Sequence, residues 1–477
     1  MTDLSVTTLT GGDSVLEDAA VLDFRTRLRG PLLTPADAGY DDARLIHNGM
    51  HDKRPALIVR CSGVADVVEA VNFARTRGLL LAVRGGGHNV AGNACCDGGL
   101  MLDLSLMRGV HVDPKTRTAH VQGGATLGEV DRETQVFGLA APGGNVSTTG
   151  VGGLTLGGGM GHLRRKHGLA IDNLRSVEVV LASGEVVTAS QDENAELFWG
   201  LRGGGGNFGV ATSFEFHLHP VGPLVTLCAP WYPVDDAKAV LAAWRDFMDR
   251  APEEFSCLAA FWTIPAAPGI PAEHHGKRAL LFGGVHCGPV DEGLKFIQPL
   301  RELGTPMLDL SGPAPWAAVQ AAFDPFFPKG LRRYYFKSRY LNNLDDNTIA
   351  ALLPRAINPP DPSVLIALWH LGGAMHRVGS TETAFPEREA QFLFSVDAIW
   401  DDPEISEEVV AYARGYLAEM EPSLKAGLYV NFAGLGEEGE SLVKAAYGPN
   451  YDRLVQVKNR YDPGNLFRLN QNIRPTV

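Results

Sequence analysis

In 84-RGGGHN-89, three consecutive glycines strip the backbone of side chains and free it to adopt positive φ; a single histidine stands at the end of the bare run. The residues on either side place this loop. Upstream, 57-LIVRCSGVADVVEAVNFARTRG-78 opens on a short apolar strand. Val64, Val67, Val68 and Val71 then recur at the i, i+3, i+4, i+7 spacing of a helix, which Gly78 stops. The run 79-LLLAV-83 is a second strand, so a β-α-β unit leads into the loop. Downstream, 102-LDLS-105 and 110-VHVDPKTRTAHVQGG-124 alternate as a hairpin with Asp-Pro-Lys-Thr at its turn. Thr126 and Glu129 form a capping box that starts a helix ending near Gly138. Residues 176–190 are another hairpin, with Ser183-Gly184 at the tip.

Two further loops share the bare character: 143-GGNVSTTGVGGLTLGGGMG-161 and 203-GGGGNFG-209. Gly204 to Gly209 spells G-x-G-x-x-G, but it follows a helix (195-AELFWGLR-202) and precedes a strand (210-VATSFEFHL-218). That is the reverse of the strand-to-helix context a Rossmann site needs, so the motif is rejected. No GxxxxGK[ST], G-x-S-x-G or HExxH occurs. Consecutive uncovered N–H groups do make a concave anion site that holds a pyrophosphate without a lysine. Three such loops together point to an extended ligand threaded through the domain.

At 477 residues the chain is too long for one compact core, and two or three domains are expected. A net charge of −13 argues against a nucleic-acid partner. Cys61, Cys95, Cys96, Cys228, Cys257 and Cys287 show no metal-ligand spacing; no metal is expected, and six reduced thiols fit a cytoplasmic protein. No signal peptide and no run of about 18 apolar residues is found, so no membrane partner is expected. Beyond residue 221 glycine thins and aromatics rise, as in 324-DPFFPKGLRRYYFKSRY-340. Strands such as 365-LIALWHLGG-373 alternate with helices such as 235-DDAKAVLAAWRDFMDRA-251. The expectation is a second, α+β domain: an antiparallel sheet layered with helices.

The ordered set 84-RGGGH-88, 143-GGNVSTTGVGGLTLGGGMGHL-163, 165-RKHGLAIDNL-174, 196-ELFWGLRGGGGNFGVAT-212 and 461-YDPGNLFRLNQNI-473 resembles the berberine-bridge-enzyme-like branch of the vanillyl-alcohol-oxidase/p-cresol-methylhydroxylase flavoproteins. The likeness covers residues 38–220 and the tail strongly and 221–420 loosely. It implies a two-domain PCMH-type FAD-binding fold: a helical lead-in (1–37), an FAD-binding domain (38–220), a substrate domain (221–434), and a segment returning to the FAD domain (435–477). It also implies FAD bonded through its 8α-methyl to the His88 ring. Arg84, Gly85, Gly86, Gly87, Asn89, Gly143, Ser147, Thr148, Thr149, Gly152, Gly153, Gly159, His162, Gly209 and Val210 would line the cofactor. Asn470 and Asn472 in the tail would meet the polar edge of its ring.

Relatives with a second tether carry a cysteine in the second glycine loop. Val146 stands there, which predicts a single covalent link. Thr149, at the family's position governing dioxygen access, leans toward an oxidase.

A hydride leaving carbon needs a base for the accompanying O–H or N–H proton. In 428-LYVNF-432, read as a strand, Tyr429 and Asn431 share a face. Tyr429 resembles the flavin-facing tyrosine of carbohydrate-oxidising relatives, although a phenol titrating near 10 needs help to act as a base. His370 reads as a satisfied core histidine, Tyr335 and Lys337 as a packed tyrosine beside a solvated lysine, His274 and His275 as surface, and Arg164, Arg165 and Lys166 as a solvated helix face.

The expected function is therefore an FAD-linked oxidase acting on a small molecule and dioxygen. The alternatives are a dehydrogenase with another acceptor, or a flavin or small-ligand binder without turnover.

Overall fold

The computed structural model describes residues 3–436 and 439–477. Near the first glycine loop, Leu57–Arg60 and Leu81–Arg84 both lie parallel to Leu100–Asp103 between them. The crossover helix Val64–Arg77 ends where Gly78 turns left-handed at φ +62°. The β-α-β unit is thus as expected, but 102-LDLS-105 does not belong to a hairpin. All four residues of Leu100–Asp103 are buried, as a central strand of a small parallel sheet requires. The lead-in also differs: the hairpin Leu4–Thr7/Asp13–Leu16 precedes its helix Asp18–Arg27. The turn at Gly11, with φ +85°, lets Val6 and Leu16 bury together.

A five-stranded antiparallel sheet follows, in the order Val186–Ser190, Leu174–Val180, Val210–His217, Thr118–Gln122, Val110–Asp113. It contains both remaining predicted hairpins. The capping box is present: Glu129 N donates to the Thr126 hydroxyl, and Thr126 N donates to the Glu129 carboxylate at 2.9 Å, opening the helix Leu127–Gln135.

The later part of the chain builds a nine-stranded antiparallel sheet. Five of its strands run in the order Arg278–His286, Phe255–Thr263, Leu365–His370, Phe392–Trp400, Arg333–Leu341, the last at the edge. Strand alternation gives it two faces. On one, Phe261, Phe282, Leu368, Phe394 and Trp400 pack beneath the helices Ala237–Met248, Val290–Arg301, Asp346–Ile357 and Ser406–Met420. Each large side chain buried there contributes about 1.5–3 kcal/mol. The other face carries cross-strand rows that meet the glycine-loop half: Leu281-Ala260-Ala367-Ser395, and Leu365-Asp397-Phe336.

The tail returns as anticipated. The helix Tyr451–Tyr461 packs on Ala195–Leu201. Fully buried Lys458 donates to Asp462 at 2.7 Å, to the Asn207 carbonyl at 2.7 Å and to the Phe467 carbonyl at 3.0 Å. Asp462 in turn accepts the N–H groups of Leu466 and Phe467. Removing one partner of such a pair costs about 3–5 kcal/mol, so this latch fixes residues 466–473 against the third glycine loop.

Among the described residues, no helix is long and apolar enough to cross a membrane, and no group of three or more His, Cys, Asp or Glu could hold a metal ion.

Candidate active site

Two backbone loops meet without side chains between them. A Cβ on Gly86 would lie 2.3 Å from Gly150 N, and one on Gly150 would lie 2.2 Å from Gly86 N, so only glycine permits the contact. The approach carries 148–149 onto His88: the Thr148 hydroxyl lies 3.1 Å from its Nε2 and the Thr149 hydroxyl 3.4 Å from its Nδ1. A hydroxyl both donates and accepts, so the pair suits a neutral imidazole of either tautomer. His47 stacks on the ring at 3.9 Å, and Tyr334 stacks on His47 at 4.7 Å. What exposure His88 retains opens into a cleft. Burial, with His47 and Lys329 beside it, holds its pKa well below the ordinary histidine range; burial likewise takes His47 down to about 4. Both rings are neutral at physiological pH.

The cleft beside His88 has a volume of about 310 Å³, and a smaller one of about 120 Å³ adjoins it through Val83, Gly85, Gly153 and Gly206. A Cβ on Gly153 or Gly206 would meet nothing within 4 Å and would project into open space. Glycine keeps this trough clear. At its margin the Asn145 and Asn470 side-chain oxygens are buried without partners, ready for the N–H groups of a ligand. Backbone N–H groups, a clear trough and orphaned amide oxygens fit a dinucleotide bearing a polar heterocycle.

The far wall is the inner face of the large sheet: Leu258, Ala260, Leu281, Leu365, Ala367, Trp369 and Phe336, with Asp397 among them. Where the walls meet stands Tyr429, 2% exposed. Its oxygen accepts from Gly159 N at 3.2 Å, Met160 N at 3.3 Å and Asn431 Nδ2 at 2.9 Å. Burial raises the phenol above its ordinary pKa, and the three donors oppose that rise. With every one of those contacts donated to it, the hydroxyl keeps its own hydrogen for a further partner. Tyr429 and Asn431 do meet, but not by strand alternation. Val430–Phe432 is a 3₁₀ turn, closed by Phe432 N donating to the Tyr429 carbonyl at 2.9 Å.

Of the residues expected to line the cofactor, Gly85, Gly86, Gly87, His88, Asn89, Thr149, Gly153 and Asn470 border the larger cleft, and Gly152, Gly209 and Val210 the smaller. Val146 borders the larger as well, and none of the six buried, free cysteines borders either.

Others lie elsewhere. Arg84 is buried against Asp103 at 2.6 Å and the Leu45 carbonyl, tying strand ends together. Ser147 turns to Asp324, whose carboxylate accepts its N–H at 2.8 Å and its hydroxyl. Thr148 reaches His88 without lining the cleft. Gly143 packs on Leu127, Gly159 on Ala170, and His162 edge-on to Trp316; none of the three lines the cleft, although Gly159 reaches it through the N–H it donates to Tyr429. In the tail Gln471, not Asn472, lines it.

The guanidinium groups expected in solvent are buried. Arg164 donates to the carbonyls of His370, Gly161 and Cys257, and Arg165 to those of Pro252, Phe255 and Ala251; loop and strand-end carbonyls lacking ladder partners recruit them. His370 packs in the core beside Trp244 and Phe392, its Nδ1 without a partner. Tyr335 is buried on the helix-covered face of its strand, so its neighbours Tyr334 and Phe336 line the cleft instead.

The notable omissions from the sequence reading are His47 and Asp397. A single acid in the apolar run 392-FLFSVDAIW-400 was the available signal for the second.

Comparison with known proteins agrees with this geometry. Residues 55–190 match the family described as FAD binding domain, and residues 428–474 the family described as berberine and berberine like. The chain is 33% identical to an FAD-linked oxidoreductase of Dictyostelium discoideum, over 88% of this chain and 89% of that one. It is 32% identical to (R)-6-hydroxynicotine oxidase of Paenarthrobacter nicotinovorans, over 94% and 97%. The structure of glucooligosaccharide oxidase from Acremonium strictum, described with a 6-S-cysteinyl, 8α-N1-histidyl FAD, superposes with a TM-score of 0.83 at 26% identity, covering 94% of this chain and 98% of that one.

Proposed function

The chain belongs to the berberine-bridge-enzyme-like FAD-linked oxidoreductases, and from that premise we propose that it is an oxidase with its flavin on a single histidyl tether. It takes hydride from a carbon bearing an alcohol, lactol or amine and delivers the electrons to dioxygen as hydrogen peroxide. In this reading residues 38–220 with the segment 435–477 hold FAD, and 221–434 shape the substrate side. FAD, when bound, supplies the two-electron acceptor that no side chain can provide.

The observation that carries the proposal is the neutral His88 imidazole, held between two threonine hydroxyls at the end of a side-chain-free trough. A neutral ring nitrogen is a nucleophile, as a link to the 8α-methyl demands. Val146 at the other tether position offers none. Gly153 and Gly206 would give the cofactor room, and the unpartnered Asn145 and Asn470 oxygens would accept from its N–H groups. Tyr429 is the base. Its phenol is protonated at rest, so it first gives up its hydrogen to solvent through the cleft, and the phenolate oxygen then takes the substrate's O–H or N–H proton as the hydride leaves. The three N–H donors stabilise the oxygen while it is charged. Thr149, small and beside His88, leaves a path for dioxygen.

Purified protein precipitated with acid should keep its yellow colour in the pellet, and its intact mass should carry one flavin. His88→Ala should move all the colour to the supernatant. Colour lost from the unaltered protein removes the tether. Flavin reduced under nitrogen should turn yellow again on admitting air; flavin that stays bleached removes the oxidase.

A further inference from the structure

Asp397 stands alone in the cleft. It is 7% exposed, its Oδ1 has no hydrogen-bond partner, and its cross-strand neighbours are Leu365 and Phe336. The Ser395 side chain, two residues back on the same face, hydrogen-bonds the carboxylate, and its hydroxyl accepts from Trp369 Nε1 at 3.3 Å. Among the described residues lining the larger cleft, Asp397 is the only carboxylate, and none is a lysine or arginine. Phe336 stands directly opposite it, and Trp369, Tyr334, Phe327 and Phe432 line the same cleft. A buried acid without a cation is costly unless something supplies the missing charge, and ring faces attract the same kind of partner.

We propose that the sheet side of the cleft selects a compact apolar molecule bearing a basic nitrogen, whose ammonium pairs with the Asp397 carboxylate between aromatic rings. An apolar wall with one acid gives a glycan few partners for its hydroxyls and gives an amine both of the things it needs. The inference rests on the reading of the cleft as a substrate site beside FAD.

Burial raises the Asp397 pKa to about 7. The other ionisable groups lining the cleft do not titrate nearby: His47 falls to about 4, His88 lies well below its ordinary value, and burial raises Tyr334 and Tyr429. Recognition of a cation should therefore be nearly full at pH 8, fall through its midpoint near pH 7 and fade as the carboxyl protonates below it.

N-Methylbenzylamine and benzyl methyl ether differ only in N–H against O and serve as the probes. Calorimetric titration of the holoenzyme at pH 8 should show the amine bound at least about tenfold tighter, a difference of about 1.4 kcal/mol. Asp397→Asn should bring the two within about twofold while leaving the ether's affinity unchanged. The preference in the unaltered protein should shrink from pH 8 to pH 5, which tests the carboxylate even if the variant folds poorly. Equal binding of the two probes at pH 8, or an amine preference that survives in Asp397→Asn or at pH 5, overturns the proposal. Calorimetry reads binding whether or not the flavin turns over. Peroxide formation on an alcohol with no amine preference sinks this inference alone, and amine preference with no flavin reduction by any substrate sinks the oxidase alone.

Discussion

The loop wall and the sheet wall of the cleft enclose one space with different materials. The loop wall is peptide: Gly85, Gly86, Gly153 and Gly206 border it, and at Gly86 and Gly150 even a methyl group would strike backbone about 2.3 and 2.2 Å away. The sheet wall is side chain: leucine, alanine, tryptophan and phenylalanine at alternate positions of paired strands, with one acid set among them. Peptide atoms are the same in every residue, so the loop wall can recognise only what every cofactor molecule shares. A wall of side chains can change residue by residue without moving the strands. On the proposed function, one cleft would hold the constant ligand and the variable one by opposite means.

The sharpest test lies where the walls join. Tyr429→Phe keeps the ring and removes the oxygen that three N–H groups address, so kcat should fall by about 10²–10⁴-fold with flavin content unchanged, read by stopped-flow reduction of the bound flavin. On the loop wall, Gly153→Val puts a side chain into the trough. Overpacking of about 1–3 kcal/mol should weaken FAD retention by about 10–100-fold, read as the flavin-to-protein absorbance ratio after dialysis of a His88→Ala background. Full retention would mean that the trough does not hold the cofactor. On the sheet wall, Leu365→Met conserves volume. Flavin content should stay the same and KM should move by less than about tenfold, since such swaps cost under about 1.5 kcal/mol. If Leu365→Met strips the flavin while Gly153→Val does not, the division of labour between the walls is reversed.

The same contrast explains how much could be read in advance. Glycine at 85–87, 152–153 and 205–206 is itself the signal, because no other residue leaves backbone uncovered. The loops, the histidine beside them and the capping box at Thr126 were therefore legible. The sheet wall depends on pairings such as Leu258 with Trp369, between strands more than a hundred residues apart that alternate like any others. Asp397 was visible as an oddity in an apolar run, but its place opposite the glycine loops was not. Arg164 and Arg165 looked like a charged surface because their partners are carbonyls, which every residue has. Ser147 lay in the right loop, but the carboxylate that claims it, Asp324, comes 177 residues later. His47 carries no motif at all; its stacking on His88 follows from a contact between distant segments, in which its own N–H donates to the Gly87 carbonyl at 2.9 Å.

The Lys458–Asp462 latch has a bearing on how the protein comes into being. It pins a strip that borders both cavities, and Asn470 of that strip donates to the Gly206 carbonyl across 264 residues of chain. A ribosome that has just released the third glycine loop has made most of the cofactor's bed but none of this closing strip. More than half the polypeptide must still be made, folded into the large sheet and brought back before the bed is complete. Contacts this distant in sequence form late and slowly. If these loops hold FAD as proposed, its uptake should follow the return of this strip, and cells short of riboflavin should accumulate a folded, colourless form whose C-terminal strip is the part most open to proteases.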